Sequence, residues 1–268
     1  MVSHNGLEVG TSHDDTNLPR GRQQRHLKRA GIAAILSAVF ACISTIMRSI
    51  PWPDLGLKGE AYLTYAQAHR GFEIQAILLC LAFFMYFAFT LLLARAYAHS
   101  VGKWTLPSIS ITAGGALYLL LSVVGAGCYA TIGLLSHSEE FSRNTPASMT
   151  LISMLWSLTM VMLTLGGAFT AVVWWGVYAA NKVHPLLPAA VAGPGSVAVG
   201  ALSLCGLATL LVPTGRWSPT SLYAGITFGL PFYIIGVIAG AALLRRARKR
   251  EVQEPDQVPR AVRPRQAD

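Results

Sequence analysis

The chain has 268 residues, of which 53% are hydrophobic and only 12% charged, where an ordinary soluble domain carries about 25% charged residues. Its charges collect in short patches separated by uncharged runs longer than about 18 residues, which bilayers require and soluble cores do not. A soluble globular protein is excluded, and the formal net charge of +9 flanks apolar runs, as a topology signal does and a nucleic-acid-binding stripe does not.

In chain order, residues 1–29 form a polar tail ending in Arg20, Arg22, Arg25, Lys28 and Arg29. It lacks apolar periodicity and is expected to be disordered. Six apolar runs follow, at about 30–49, 73–95, 107–135, 148–180, 188–212 and 219–244. Each is long enough, at about 1.5 Å per residue, to cross about 30 Å of hydrocarbon. The first run follows a long polar stretch and exceeds a signal-peptide core of about 7–15 residues, so it reads as a retained anchor. The fold class is an all-α integral membrane protein, a bundle of six transmembrane helices.

Between the first two spans, "PWPDLGLKGEAYLTYAQAHRG" at 51–71 is the one long connection. Pro51, Trp52 and Pro53 stop the first span, with Trp52 suited to the membrane interface. Residues 60–68 favour helix and place Tyr62 and Tyr65 on one face, as a short amphipathic cap along the membrane surface. The second span carries "FFMYFAF" at 83–89, which covers more than one helix face. It either meets lipid and neighbouring helices or walls a cavity that stabilises a carbocation, as in a membrane terpenoid cyclase. The fourth span has no charge between Arg143 and Lys182. It is too short for two crossings and a turn, so one long tilted helix is predicted, starting at Thr145-Pro146. Trp156, Trp174 and Trp175 lie in it, the last two placed for the interface belt.

Small residues mark the last two spans. The fifth has Ala192, Ser196 and Gly200; the sixth has Gly225, Gly229, Gly236 and Gly240. Such spacing lets helix backbones approach in lipid, so spans five and six are expected to pack on each other, with a homodimer or another membrane partner as the alternative. Pro231 leaves the Thr227 carbonyl without its helical donor and predicts a kink. The tail from 245 to 268 opens with "RRARKR" and is expected to be disordered and to attract anionic membrane lipid.

Orientation follows from basic residues. With cytoplasmic termini, sixteen of the 21 Lys and Arg fall inside, leaving Arg48, Lys58, Arg70, Arg143 and Arg216 outside. The positive-inside rule therefore puts both termini in the cytoplasm of a cell-membrane protein. Cys42, Cys80, Cys128 and Cys205 lie in four different spans with no C-x-x-C, so neither a disulfide framework nor a redox motif is expected.

No Asp, Glu, Lys or Arg falls near the middle of any span, which argues against a proton relay, a voltage sensor or a carboxylate-lined cation pore. Walker A, H-E-x-x-H, G-x-S-x-G and D-D-x-x-D patterns are missing; no cofactor is implied. Candidate chemistry gathers at the mouth of the second span, in "HRGFE" at 69–73. On one helix, His69 and Glu73 are four apart and Arg70 and Glu73 three apart, so they share a face. Arg48 and Asp54 can approach it.

Three readings fit this set. It is a snorkelling rim that fixes helix depth. It is the polar end of a ligand pocket, with Arg48, Asp54, Arg70 and Glu73 orienting a small amphiphile. Or Glu73 is a general acid over an apolar cavity, with His69 or Arg48 assisting. A metal site would need His69, Glu73 and His137 to converge from two helices, and none is expected. Size and topology have the general look of small bacterial six-span membrane proteins, and no motif narrows that to a family. The leading functional expectation is a non-enzymatic protein that binds, exports or confers resistance to a small amphipathic molecule. An enzyme on a lipidic or prenyl substrate and an accessory subunit of a membrane complex are the alternatives. No nucleic-acid partner is expected.

Overall fold

The computed structural model describes residues 18–47, 52–69, 71–142 and 145–253, and these are helical apart from short connections. Six helices are long and apolar enough to cross a membrane. The first is α1 (Leu18–Met47), followed by the loop helix α2 (Gly59–Ala68), then α3 (Phe72–Val101), α4 (Leu106–Ser136), the short α5 (Glu139–Ser142) and α6 (Pro146–Val183). The last two spans are interrupted. In the fifth, a π-helical turn at Val191–Gly195 leads into α7 (Ser196–Cys205), which tightens to 3-10 geometry over Gly206–Leu211. In the sixth, the single turn α8 (Leu222–Ala224) and a π-helical turn at Gly225–Gly229 precede α9 (Leu230–Gln253).

Helix starts follow from local chemistry. Thr105 and Thr145 cap α4 and α6, each accepting from the backbone N–H three residues on, of Ser108 at 3.5 Å and Ser148 at 3.3 Å. A proline stands in the first turn of each helix, where its missing N–H costs nothing. The fourth span is one unbroken helix of 38 residues, as its uncharged length predicts. Pro231 and Pro194 each remove an i→i−4 donor, and a π-helical turn contains Pro194 and another ends just before Pro231. The kink predicted at Pro231 thus takes the form of a widened turn.

Two ends of the chain differ from expectation. Residues 18–29 and 245–253, read as disordered tail, continue α1 and α9. Leu27 and Ala247 are buried there, so packing between the first and last spans extends these helices past their apolar runs. The rest of both tails lies outside the described residues.

The spans form a ring in which α1 packs on α3, α3 on α4, α4 on α6, α6 on α7, and α9 back on α1. The α4–α6 seam is built on glycine. A Cβ at Gly166 would lie 2.6 Å from Ser122 Oγ, and one at Gly176 would lie 2.9 Å from the Pro107 carbonyl. Ring closure between α1 and α9 includes a close backbone approach, where a Cβ on Gly240 would come within 2.8 Å of the Gly31 carbonyl. Contact between the fifth and sixth spans is sparse, against the expectation that they pair. Gly200 faces Ala171 of α6 instead, and a Cβ at Gly225, Gly229 or Gly236 would meet nothing within 4 Å.

At one end, α2 lies across α4 and α6 and buries Tyr62 and Tyr65, the face that their spacing predicts. A Cβ on Gly59 would overlap the Met149 carbonyl, so this cap sits directly on the bundle. At the other end, the Asn181 side chain accepts from the Leu186 and Leu187 N–H groups and from Tyr97 Oη, at 2.8, 2.8 and 2.9 Å. One amide thereby satisfies the turn that links the fourth and fifth spans. Trp174, placed at the interface by sequence, is fully buried, whereas Trp175 is 67% exposed. The aromatic run of the second span divides likewise: Phe83, Tyr86 and Phe89 point inward and Phe84 outward.

Candidate functional site

The residues singled out at the mouth of the second span do not share a helix face. Ala68 ends α2, Phe72 begins α3, and Gly71 between them has φ +97°, a left-handed conformation natural only to glycine. The chain therefore reverses between His69 and Glu73, and their side chains part. Arg48 and Arg70 lie outside the described residues.

His69 turns inward and is 3% exposed. Its Nε2 lies 2.9 Å from Gln75 Oε1, which also accepts from Tyr129 Oη at 2.7 Å. Gln75 Nε2 donates to the Ser44 carbonyl at 3.1 Å, and Ser44 Oγ donates to the Gln75 carbonyl at 3.2 Å. Because Gln75 Oε1 can only accept, Nε2 of His69 carries the proton. Its Nδ1 is buried without a hydrogen-bond partner among the described residues. The network ties α1, α3, α4 and the end of α2 together, with every contact away from lipid. Sequence reasoning missed its centre, Gln75, although an amide two positions past the polar mouth of an apolar run is itself a signal of internal bonding.

Glu73 turns the other way. Its carboxylate is half-buried and lies 3.6 Å from His137 Nε2, on a side chain 67% exposed. Asp54 is held in a separate place, its Oδ1 accepting from Thr220 Oγ1 at 3.3 Å and its carbonyl from Tyr62 Oη at 3.0 Å. The Thr220 bond ties the loop after the first span to the loop before the sixth, and the Tyr62 bond holds that first loop against α2. The Tyr62 phenol is pushed above its ordinary range, chiefly by burial, while its bond from the Leu57 N–H works in the opposite direction.

Beneath the cap lies a cavity of about 270 Å³. Trp52 and Pro219 border it near the α2 end, and Phe83, Tyr118, Phe232 and Tyr233 border it deeper in the bundle. Tyr118 meets Phe83 edge to face at 5.5 Å and Phe232 at 5.9 Å. Hydroxyls interrupt this apolar wall: Thr170 and Ser203 bond each other at 2.6 Å, and Ser122 Oγ is buried with no hydrogen-bond partner among the described residues. Among the described residues no lining side chain is charged, and neither Glu73 nor His69 belongs to the wall. Gly225 and Gly229 do, so the small residues of the sixth span open space here rather than closing a helix pair. Trp52 stands between cavity and cap, 5.9 Å from the Tyr129 ring and 6.2 Å from Trp156.

The arrangement is chemically one-sided. It offers aromatic faces and hydroxyls to a guest, and no group that would carry a formal charge. No known protein family, curated protein or solved structure matches this chain.

Proposed function

We propose that this multi-pass membrane protein binds a compact, uncharged amphipathic molecule in the cavity beneath α2, and carries or sequesters it at the outer side of the cell membrane. The observation that supports this reading is the cavity itself: about 270 Å³ of space with no charged wall and a buried, unpartnered Ser122 hydroxyl. A buried hydroxyl without a partner is costly, and a guest with one carbonyl or hydroxyl would relieve that cost. The volume lies near the lower limit of ordinary small-molecule sites, about 300 Å³. At protein-like packing it holds on the order of ten non-hydrogen atoms. The orientation rests on the basic residues gathered at the end opposite α2. The general-acid alternative lacks comparable support, because Glu73 faces His137 and not the cavity.

The test is binding of neutral ten-carbon alcohols to the purified protein in nanodiscs, followed by tryptophan fluorescence and thermal unfolding. Saturable binding is expected. Gly167 borders the cavity, and a Cβ there meets nothing within 4 Å, so Gly167→Leu fills the space without displacing backbone and abolishes binding. Ser122→Ala weakens it about ten-fold, the loss of one buried hydrogen bond. Equal binding by the unaltered protein and Gly167→Leu sinks the proposal.

A further inference from the structure

The end of the bundle away from α2 holds a second concavity of about 240 Å³, lined by Gln23, Ser100, His184, Pro185, Leu186 and Arg246. It lies where α1, α3 and α9 meet the turn after α6. Its walls are polar and already positioned. Gln23 Nε2 donates to Ser100 Oγ at 2.5 Å and to the Ala96 carbonyl at 3.4 Å. Arg246 donates to the Pro185 and Leu186 carbonyls, which fixes the guanidinium at the rim.

One turn along α1, the rings of His26 and His99 stack with centroids 5.2 Å apart. Arg25, Arg29 and Arg95 lie within electrostatic reach of the His26 imidazole, and His26 Nδ1 is buried with no hydrogen-bond partner among the described residues. Between Leu18 and Lys249 the acids are Asp54, Glu60, Glu73, Glu139 and Glu140, all in the segments at the α2 end, and Glu251 follows in the last turn of α9. Guanidinium groups gathered around a stacked pair of imidazoles repel one another, and an anion bound among them replaces that repulsion with attraction. The location adds a second argument. These side chains sit where apolar helices give way to polar ends, the depth at which phosphate groups of a bilayer are found. Arginine beside histidine and amide donors suits the several acceptor oxygens of a phosphate ester.

We propose that this cleft binds a phosphate ester, presented by an anionic phospholipid headgroup or by a soluble phosphate compound. Arg246 and His184 hold the anion in the cleft, and the arginines around the His26–His99 pair, which lie beside the cleft and do not line it, add attraction from nearby.

The experiment uses the full-length protein in detergent and native mass spectrometry, with phosphatidylglycerol, phosphatidylcholine and glycerol 3-phosphate as probes. One phosphatidylglycerol is expected to be retained, about ten-fold more tightly than phosphatidylcholine. Displacement by millimolar glycerol 3-phosphate identifies the phosphate group alone as sufficient; persistence identifies a lipid whose chains also contribute. Arg246→Gln should weaken retention about ten-fold. Because that substitution also removes bonds to the turn, the double variant Arg95→Gln/His99→Gln is the companion, and it should weaken retention comparably. Lys103→Gln, an exposed cation at the same end outside the cleft, should leave it unchanged. Equal retention of the two lipids, or an equal loss with Lys103→Gln, overturns the proposal in favour of diffuse surface charge.

Discussion

Two seams of the ring use glycine for opposite purposes. Between α4 and α6, glycines bring backbones together: Gly166 and Gly176 leave no room for even one added carbon. Between the fifth and sixth spans, Gly225 and Gly229 hold space open at the cavity, and both helices lose α geometry nearby. Without a hydrophobic drive between helices in lipid, close packing is what holds spans together. The first seam is therefore a structural joint. The second is a wall that accommodates a guest, and its widened turns fit the tendency of π-helical turns to fall at functional sites.

Substitutions sharpen that contrast. Gly176→Leu should have the largest effect, since its side chain must displace Ile111 and the Pro107 backbone; overpacking of this kind costs about 3 kcal/mol or more. Loss of folded protein, measured as yield and thermal stability in detergent, is the expected result, and a stable variant would remove the joint from the comparison. Gln75→Leu should follow, at about 2–3 kcal/mol, because it strands the His69 donor and the Ser44 carbonyl in an apolar interior. A thermal midpoint unchanged by Gln75→Leu would show that the network is not part of the rigid half. Gly240→Ala should destabilise by about 1–2 kcal/mol through its contact with the Gly31 carbonyl, whereas Gly236→Ala, with open space around it, should match the unaltered protein or exceed it slightly. Equal midpoints for the two alanine variants would erase the distinction between packed and open glycines within one helix. The smallest effect is expected of Glu73→Gln, within about 0.5 kcal/mol, because its pairing with His137 is solvent-screened. A large loss of ligand binding with Glu73→Gln would restore the polar mouth as the working site.

The helical architecture was legible because bilayer thickness writes itself directly into run length. The single fourth helix, the α2 cap and the disruption beside Pro231 were legible for similarly local reasons. The site was not. Four-residue spacing of His69 and Glu73 implies a shared face only on a continuous helix, and one left-handed glycine between them cancels that inference. The glycines of the structural joint are missed for a different reason. Gly114 and Gly125 of α4 meet the Phe169 and Thr159 carbonyls of α6, and Gly166 and Gly176 of α6 meet the Tyr118 and Pro107 carbonyls of α4, so their meaning is in the pairing of two helices and no short repeat announces it. Conversely, the repeat at Gly225 and Gly229 is visible, but whether such a ridge meets a partner helix or a cavity depends on what stands opposite.

The length of α6 sets how far it stands clear of the membrane core. Its 38 residues extend about 57 Å, at 1.5 Å per residue. Even tilted by about 40°, the upper end of the usual range, it spans about 44 Å along the membrane normal, against about 30 Å of hydrocarbon. About 14 Å must then stand clear of the acyl chains. Exposed Trp175, with Lys182 over the Tyr178 ring at 4.3 Å, marks one boundary near the basic end, so most of that surplus is the stretch from Trp175 to Val183, which lifts the Asn181-bonded turn clear of the acyl chains.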